Sequence, residues 1–334
     1  MWVAVSFWFF SLRQPFFCLF LKISVDRIIE WVYIIDRLNI KGLKMKITNK
    51  ANLPEAFVKA VSVERHNEKS HFSATTLIKG ACEVVLSDRH WDELEQDASD
   101  MVWTVFGSAV HSIFEKQSDN SFKEEAFEVA VGNSVVTGRV DSYDLEHETL
   151  VDWKTASVWK VQFNDFDDWR KQGLIYAWLM KQNGLTVRKC QFVALLKDHS
   201  KSKARFDANY PQSPCYVYEF DVTEKDLAEI DNFIKIKVAE FEAAEKVADA
   251  DLKPCTESER WASAPKFAVM KEGRKSAVKL FDNKEEAEKM LATLDDKHWL
   301  QERPGENKKC SDYCVCSSFC PFFAQLKSIN AVGD

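Results

Sequence analysis

The stretch GRVDSYDLEHETLVDWK, residues 138–154, decides how this chain is read. Apolar residues flank the polar segment DLEHET on both sides, the pattern of two strands joined by a turn. Side chains alternate faces along a strand, so Leu150, Asp152 and Lys154 share one face while Val151 and Trp153 point to the other. The turn returns the end of the first strand beside the second, which brings Asp141 toward Asp152 and Lys154. Two carboxylates and an ammonium in one place suit phosphodiester hydrolysis. Hard oxygen ligands hold Mg²⁺ or Mn²⁺, such an ion acidifies a water, and a lysine orients that water or steadies the phosphorane. An Asp-X-Lys tripeptide alone equally describes an ion pair on the surface of a hairpin, so the residues around it decide.

Upstream, GSAVHSIFE (107–115) places His111 and Glu115 at i and i+4, on one helix face, and imidazole is an acceptable ligand for Mn²⁺. Downstream, WRKQGLIYAWLM (169–180) places Gln172 and Tyr176 on one helix face, while Leu174, Ile175, Trp178 and Leu179 form the core stripe. On this reading the polar pair is available to substrate.

Taken in order, GxxxHxxxE, GxxD, DWK and QxxxY resemble the motifs of RecB-like nucleases in the PD-(D/E)XK superfamily. The motifs cover about residues 75–200. The wider run from Met45 to about Phe323 looks like the stand-alone phage and prophage members that carry a C-terminal cysteine cluster. The resemblance implies an α/β, restriction-endonuclease-like core, a central mixed sheet flanked by helices. It implies His111, Asp141 and Asp152 as metal ligands with the Trp153 carbonyl as another, and Lys154 as the catalytic lysine. Glu115 becomes the supporting acid of the helix, and Gln172 with Tyr176 the pair that orients the lysine region and contacts the DNA strand. The motif acid at 152 is Asp where many superfamily members have Glu.

Composition agrees with a globular chain. The 334 residues are 46% apolar and 29% charged, with only 10 glycines and 8 prolines, which excludes collagenous and largely disordered classes. A formal charge of −7 means that any polyanion must be met by a local basic patch. The segment LKDHSKSKAR (196–205) supplies one, with Lys197, Lys201, Lys203 and Arg205 as a phosphate track and Tyr210 nearby to stack on a base.

Residues 1–44 are dense in Phe and Trp, but Arg13, Gln14 and Pro15 split them into runs too short to span a bilayer, and they lack the layout of a secretory signal. They read as an extension outside the core, and the protein as cytoplasmic. The nuclease core is expected over 45–254, a small α+β unit clasped by cysteines over 255–323, and a tail over 324–334. Within the core, the pattern gives helix up to about Lys116, strands at 125–131, 134–143 and 148–154, a helix at 167–183, strands at 187–197 and 215–222, and a capped helix from Thr223 to about Ala248. The smaller unit reads as a hairpin around Gly273, a helix in NKEEAEKMLATL and a final strand in KHWLQERPG.

The tail CSDYCVCSSFCPFF (310–323) holds four of the nine cysteines, a clustering that reads as metal binding. Thiolates at these gaps suit Zn²⁺ or an iron–sulfur cluster. The family resemblance implies a [4Fe-4S] cluster on Cys310, Cys314 and Cys320 with a fourth ligand far upstream. Cys255 is the favoured candidate, with Cys316 and Cys82 as rivals; outside that role Cys82, like Cys190 and Cys215, reads as a buried small hydrophobe. The expected function is a metal-dependent deoxyribonuclease, exonuclease-type, in recombination, repair or phage DNA processing. Its DNA would be single-stranded or bear free ends, with a helicase or recombination protein as companion and no membrane role. The alternative is a catalytically silent DNA-binding scaffold of the same fold.

Overall fold

Strand pairing around residues 138–154 organises the computed structural model, which describes residues 45–62, 71–117 and 119–331. The aromatic extension 1–44 lies outside the described residues. In chain order the elements are β1 (Lys46–Thr48), α1 (Glu55–Val61), β2 (His71–Ser73), α2 (Ala74–Leu77), α3 (Ala81–Arg89), β3 (Glu95–Asp97), α4 (Val102–Glu115), β4 (Ser121–Val131), β5 (Ser134–Asp144) and β6 (Thr149–Ala156). There follow α5 (Val158–Gln162), α6 (Asp167–Gln182), β7 (Lys189–Leu196), α7 (Lys201–Phe206), β8 (Cys215–Asp221) and α8 (Glu224–Ala244). The C-terminal part holds β9 (Lys266–Lys271), β10 (Lys279–Phe281), α9 (Lys284–Leu291), β11 (His298–Arg303), α10 (Lys308–Asp312) and α11 (Pro321–Ala331).

The central sheet is mixed, in the order β2-β5-β6-β7-β8, with β4 on the free edge of β5. β6 and β7 run parallel, and their crossover is α6, as a parallel pair requires. Helix α6 is buried along most of its length, between the sheet on one side and α8 on the other. The main core joins Val136, Val140, Leu150 and Phe192 of the sheet to Trp178, Leu179 and Met180 of α6 and Ile234 and Phe241 of α8. Gly138 is what lets α6 come this close: a Cβ there would meet Leu179 Cδ1 at 2.6 Å and Tyr176 Cδ1 at 2.9 Å. The expected mixed sheet flanked by helices is therefore present, and α8 opens with both halves of a capping box between Thr223 and Asp226.

Several boundaries differ from the sequence reading. The run up to Lys116 is not all helix: β1 pairs in parallel with β3, and β2 adds to the edge of β5. These strands have three residues each, too short to show a period, and they exist because distant segments offer them hydrogen-bonding edges. β4 starts at Ser121 instead of 125, and α8 ends at Ala244. The basic loop contains a helical turn, α7, capped by the Ser200 hydroxyl.

A second core gathers Val85 and Leu86 of α3, Leu94, Ala98 and Met101 with Leu252 and Cys316. The three-stranded sheet β10-β9-β11 carries α9, whose Ala287 packs with Phe267 and Val269 of β9, matching the hairpin, helix and strand read from 266–305. The cysteine tail leaves that small sheet and packs on α3, where Lys309 pairs with Glu83 at 2.5 Å and Phe319 stacks on His90 at 4.0 Å between ring centroids. Among the described residues no helix is long and apolar enough to cross a membrane.

Candidate active site and cysteine cavity

β5 shares one edge between two partners. β6 pairs with its end, through Ser142–Val151, Tyr143–Leu150 and Asp144–Thr149, and β2 takes its beginning, from Val135 to Thr137. One step past Ser142–Val151 the register would pair Asp141 with Asp152, and there β5 and β6 part. The opening exposes backbone that side chains must satisfy. Asp141 Oδ2 accepts the Trp153 N–H at 2.8 Å and lies 3.2 Å from His111 Nδ1. Helix α4 delivers His111 by packing on β6, where Phe114 stacks on Trp153 at 3.9 Å between centroids. The shared carboxylate raises the His111 pKa above its ordinary value.

Asp152 and Lys154 project together from β6, as the alternation requires, with Nζ 2.6 Å from Oδ2. Asp152 is 1% exposed, and burial pushes its carboxyl up to about 6 against the opposing pull of Lys154. Gln172 Nε2 donates to Asp152 Oδ1 at 3.4 Å and to the Tyr176 hydroxyl at 3.0 Å. Gln172 and Tyr176 are buried, which corrects the expectation that they are open to substrate. Helix α6 has no free face at this level, so the pair reaches inward and holds Asp152. Burial also raises the Tyr176 pKa, keeping the hydroxyl protonated.

One carboxylate escaped the sequence reading. Glu124, in the middle of β4, faces Asp141 across the β4–β5 ladder, whose flanking pairs are Lys123–Ser142 and Glu125–Val140. Its side chain joins His111 and Asp141, with one ligating atom from each within 4.8 Å of the others. Nothing in EEAFEV marks the first glutamate as different from the second. Glu115, four residues after His111, is exposed, and its charge raises the Glu124 pKa after burial and Asp141 have done so.

These donors fit a divalent ion. Carboxylates and an imidazole are the ligand set of Mg²⁺ or Mn²⁺ sites, and Asp152 Oδ2 is a buried acceptor with no aligned hydrogen bond, although the lysine ammonium lies beside it. Trp153 presents its backbone N–H to Asp141.

The basic segment divides. Lys197 follows β7, bonded through its N–H to the Ala156 carbonyl at 2.9 Å, and its ammonium lies 3.8 Å from the Trp103 ring centroid. Lys201, Lys203 and Arg205 are exposed on α7. Tyr210 is 4% exposed; its hydroxyl accepts the Ser200 N–H and donates to the Asp198 carbonyl, so it props the segment and cannot stack on a base. The exposed rings near Lys197 are instead Trp103 and Phe106 of α4, in edge contact with each other, and the stacked Trp159 and Phe163 just after β6.

Cys82, Cys255, Cys310, Cys314, Cys316 and Cys320 line a single cavity with Arg260, Phe322 and Phe323. The Cys82 thiol hydrogen-bonds with Cys255 and Cys320, which lowers the pKa of Cys255 and brings Cys320 down to about 6. Burial raises Cys310 to about 11, with the Arg260 guanidinium opposing. Cys316 is turned to the Glu83 carbonyl, at 3.5 Å, and also lies 3.5 Å from Cys314. Cys190 is buried as expected, whereas Cys215 is exposed, because β8 is an edge strand.

No curated protein matches the chain. Among solved structures, SSO0001 is 17% identical with a TM-score of 0.39, covering 60% of this chain and 90% of its own. A phage-related exonuclease from Haemophilus somnus 129PT is 12% identical with a TM-score of 0.34, over 52% of this chain and 94% of its own. An alkaline exonuclease (LHK-Exo) from Laribacter hongkongensis is 12% identical with a TM-score of 0.33, over 52% of this chain and 89% of its own. The family model described as PD-(D/E)XK nuclease superfamily matches residues 55–321, a span that contains the candidate active site and all six cysteines of the cavity, and the chain belongs to that superfamily.

Proposed function

We propose that this nuclease hydrolyses DNA phosphodiesters with a Mg²⁺ or Mn²⁺ ion, as an exonuclease of recombination, repair or phage DNA processing, working in the cytoplasm beside a helicase or recombination partner. The observation that carries this reading is the meeting of the His111–Asp141 pair with the buried Asp152–Lys154 pair where β5 and β6 part. His111, Asp141, Asp152 and the Trp153 carbonyl would hold the ion. When bound, it acidifies a water and neutralises charge on the phosphate oxygens. Lys154 orients the attacking water and stabilises charge on the phosphate. Gln172 fixes Asp152, and Tyr176 fixes Gln172, so the acid and lysine keep one geometry through turnover. End-labelled DNA incubated with Mn²⁺ or Mg²⁺ tests the reading, and absence of cleavage with retained DNA binding would favour the silent scaffold.

Asp141→Ala should abolish cleavage, whereas Asp144→Ala should change it less than about twofold and loosen only the turn. The Asp144 carboxylate accepts the N–H groups of Glu146 and His147 and closes the β5–β6 turn. Essential Asp144 with dispensable Asp141 would show that the ligand assignment is wrong.

Protonation sets the pH dependence. His111 ligates only when neutral, and Asp141 raises its pKa. Metal affinity should therefore be weak below that raised pKa and climb as pH passes through it, with activity highest on the alkaline side. A His111→Gln variant should lose that limb, and an unchanged pH profile in it would remove His111 from the site.

For the DNA path, Lys197, Lys201, Lys203 and Arg205 meet phosphates, and the exposed rings of Trp103, Phe106, Trp159 and Phe163 meet unstacked bases. Stacking is worth about 1–3 kcal/mol per base, so Trp103→Ala should weaken single-stranded oligonucleotide binding about tenfold. Tyr210→Phe should leave it unchanged. Fluorescence anisotropy in Ca²⁺ checks both.

The cysteine cavity we assign to a [4Fe-4S] cluster on Cys255, Cys310, Cys314 and Cys320, with Zn²⁺ as the alternative. The Cys316 sulfur faces the Glu83 carbonyl, an acceptor that favours the protonated thiol, whereas the Cys82 thiol and then the backbone of Glu83 lower the Cys255 pKa toward the thiolate a metal needs, which favours Cys255 over Cys316. A brown protein with absorbance near 400 nm would support the cluster; a colourless anaerobic preparation with bound zinc would reverse the choice.

A further inference from the structure

We propose that Glu124 is a further metal-ligating carboxylate of this nuclease site, and that β4 carries a left-handed residue in mid-strand in order to aim it. The proposal rests on the metal-dependent reading above. Glu124 has φ of 51°, a conformation that costs a non-glycine residue energy and is rare inside a strand. No extra residue explains it: Lys123–Ser142 and Glu125–Val140 keep one-to-one register on either side, so this is not a bulge. The ladder instead skips the one pair Glu124–Asp141.

The main core shows what that skip does to the facing strand. Val136 and Val140 lie in it, and so does Tyr143, so the pleat of β5 changes phase between residues 140 and 143. Asp141 lies inside that change. Both residues are thus released from regular strand geometry at one point, and there their carboxylates meet His111.

The cost is electrostatic as well as conformational. Glu124 lies half-buried near two other acids, Asp141 and Glu115, with His111 and Arg139 acting in the opposite sense. Like charges brought together on a strained backbone lower stability unless something of opposite charge gathers them. A divalent cation among Glu124, Asp141 and His111 does so with ligands it prefers. Lys154 is engaged by Asp152, both on β6. Glu125, the neighbour in an ordinary β conformation, is exposed and supplies a matched control.

The test uses the full chain, its cysteine centre as isolated and the metal site stripped by chelator, with Mn²⁺ alone as the probe. Free Mn²⁺ is followed by electron paramagnetic resonance, and unfolding by calorimetry. Glu124→Gln keeps the backbone conformation and should weaken Mn²⁺ binding by about tenfold or more, in the range seen when a metal site loses a supporting group. Glu124→Gly relieves the left-handed residue and should raise the metal-free Tm by about 2 °C while showing the same loss of Mn²⁺ affinity. Glu125→Gln should change neither. Parent-like Mn²⁺ affinity in Glu124→Gln would overturn the proposal while leaving the nuclease reading intact. A parent protein that binds no Mn²⁺ and cleaves no DNA would overturn both.

Discussion

Lys154→Ala is expected to lower metal-dependent cleavage by about 10²- to 10³-fold, or about 3–4 kcal/mol of transition-state stabilisation, the scale for removing one positioned donor at a reacting oxyanion. DNA binding should stay near the parent level, because the basic segment and the exposed rings, not Lys154, are the proposed contacts to the DNA strand. The same variant has a second consequence that a mere surface lysine would not have. Asp152 titrates at about 6 in the fold, held up by burial, against an ordinary carboxylate value of 3.8. A raised carboxyl pKa means that the folded state binds the proton more tightly than the unfolded chain. Asp152 therefore favours folding at low pH, and that contribution is lost as pH rises from about 4 to about 6. Lys154 offsets part of the cost of the buried charge, so its removal should lower Tm more at pH 8 than at pH 5. Comparable turnover in variant and parent would remove Lys154 from the mechanism. An equal Tm loss at both pH values would show that Asp152 does not feel it.

Cys255→Ser is expected to abolish the cluster proposed for the cysteine cavity and to loosen the C-terminal region. The cavity is walled by α3, the segment after α8 and the tail, three pieces of chain far apart in sequence. Among the described residues, the tail is held on α3 by the Lys309–Glu83 pair, the Phe319–His90 stack and the Cys316–Glu83 bond, and on the segment after α8 by the Lys309 N–H to the Arg260 carbonyl, Arg260 over the Phe322 ring and the Trp261–Tyr313 ring contact. A metal centre joining Cys255 to Cys310 closes a loop of about 55 residues, and its loss returns that entropy to the tail. Iron, sulfide and the visible absorbance of the cluster should be lost together, and Tm should drop by about 5 °C or more. Cys316→Ser and Cys190→Ser should keep the cluster. Cys82 contacts both Cys255 and Cys320, so it is the decisive comparison. Loss of the cluster in Cys82→Ser with retention in Cys255→Ser would move the fourth ligand to α3.

The chain itself carried β4 to β8 of the central sheet, the α6 crossover and the capped α8, because each is long enough to display its period and its caps. Strand alternation likewise put Asp152 and Lys154 on one face and the turn brought Asp141 toward them, whereas His111 entered through the order of motifs that resembles the superfamily. What sequence could not carry was whatever depends on a partner distant in the chain. The strands at 46–48, 71–73 and 95–97 exist only because a remote edge accepts their hydrogen bonds. Gln172 and Tyr176 have the same helical face in either reading, but only the stacking of α6 between sheet and α8 turns that face into an interior that grips Asp152. Tyr210 beside a basic segment looks like a base platform until its hydroxyl is seen bonded to the backbone at 198 and 200. Glu124 and Glu125 are the same residue type in adjacent positions of one strand. Alternation puts the two on opposite faces, and which of them meets Asp141 is set by the pairing of β4 with β5, at the one pair the ladder skips and where Glu124 takes its left-handed φ.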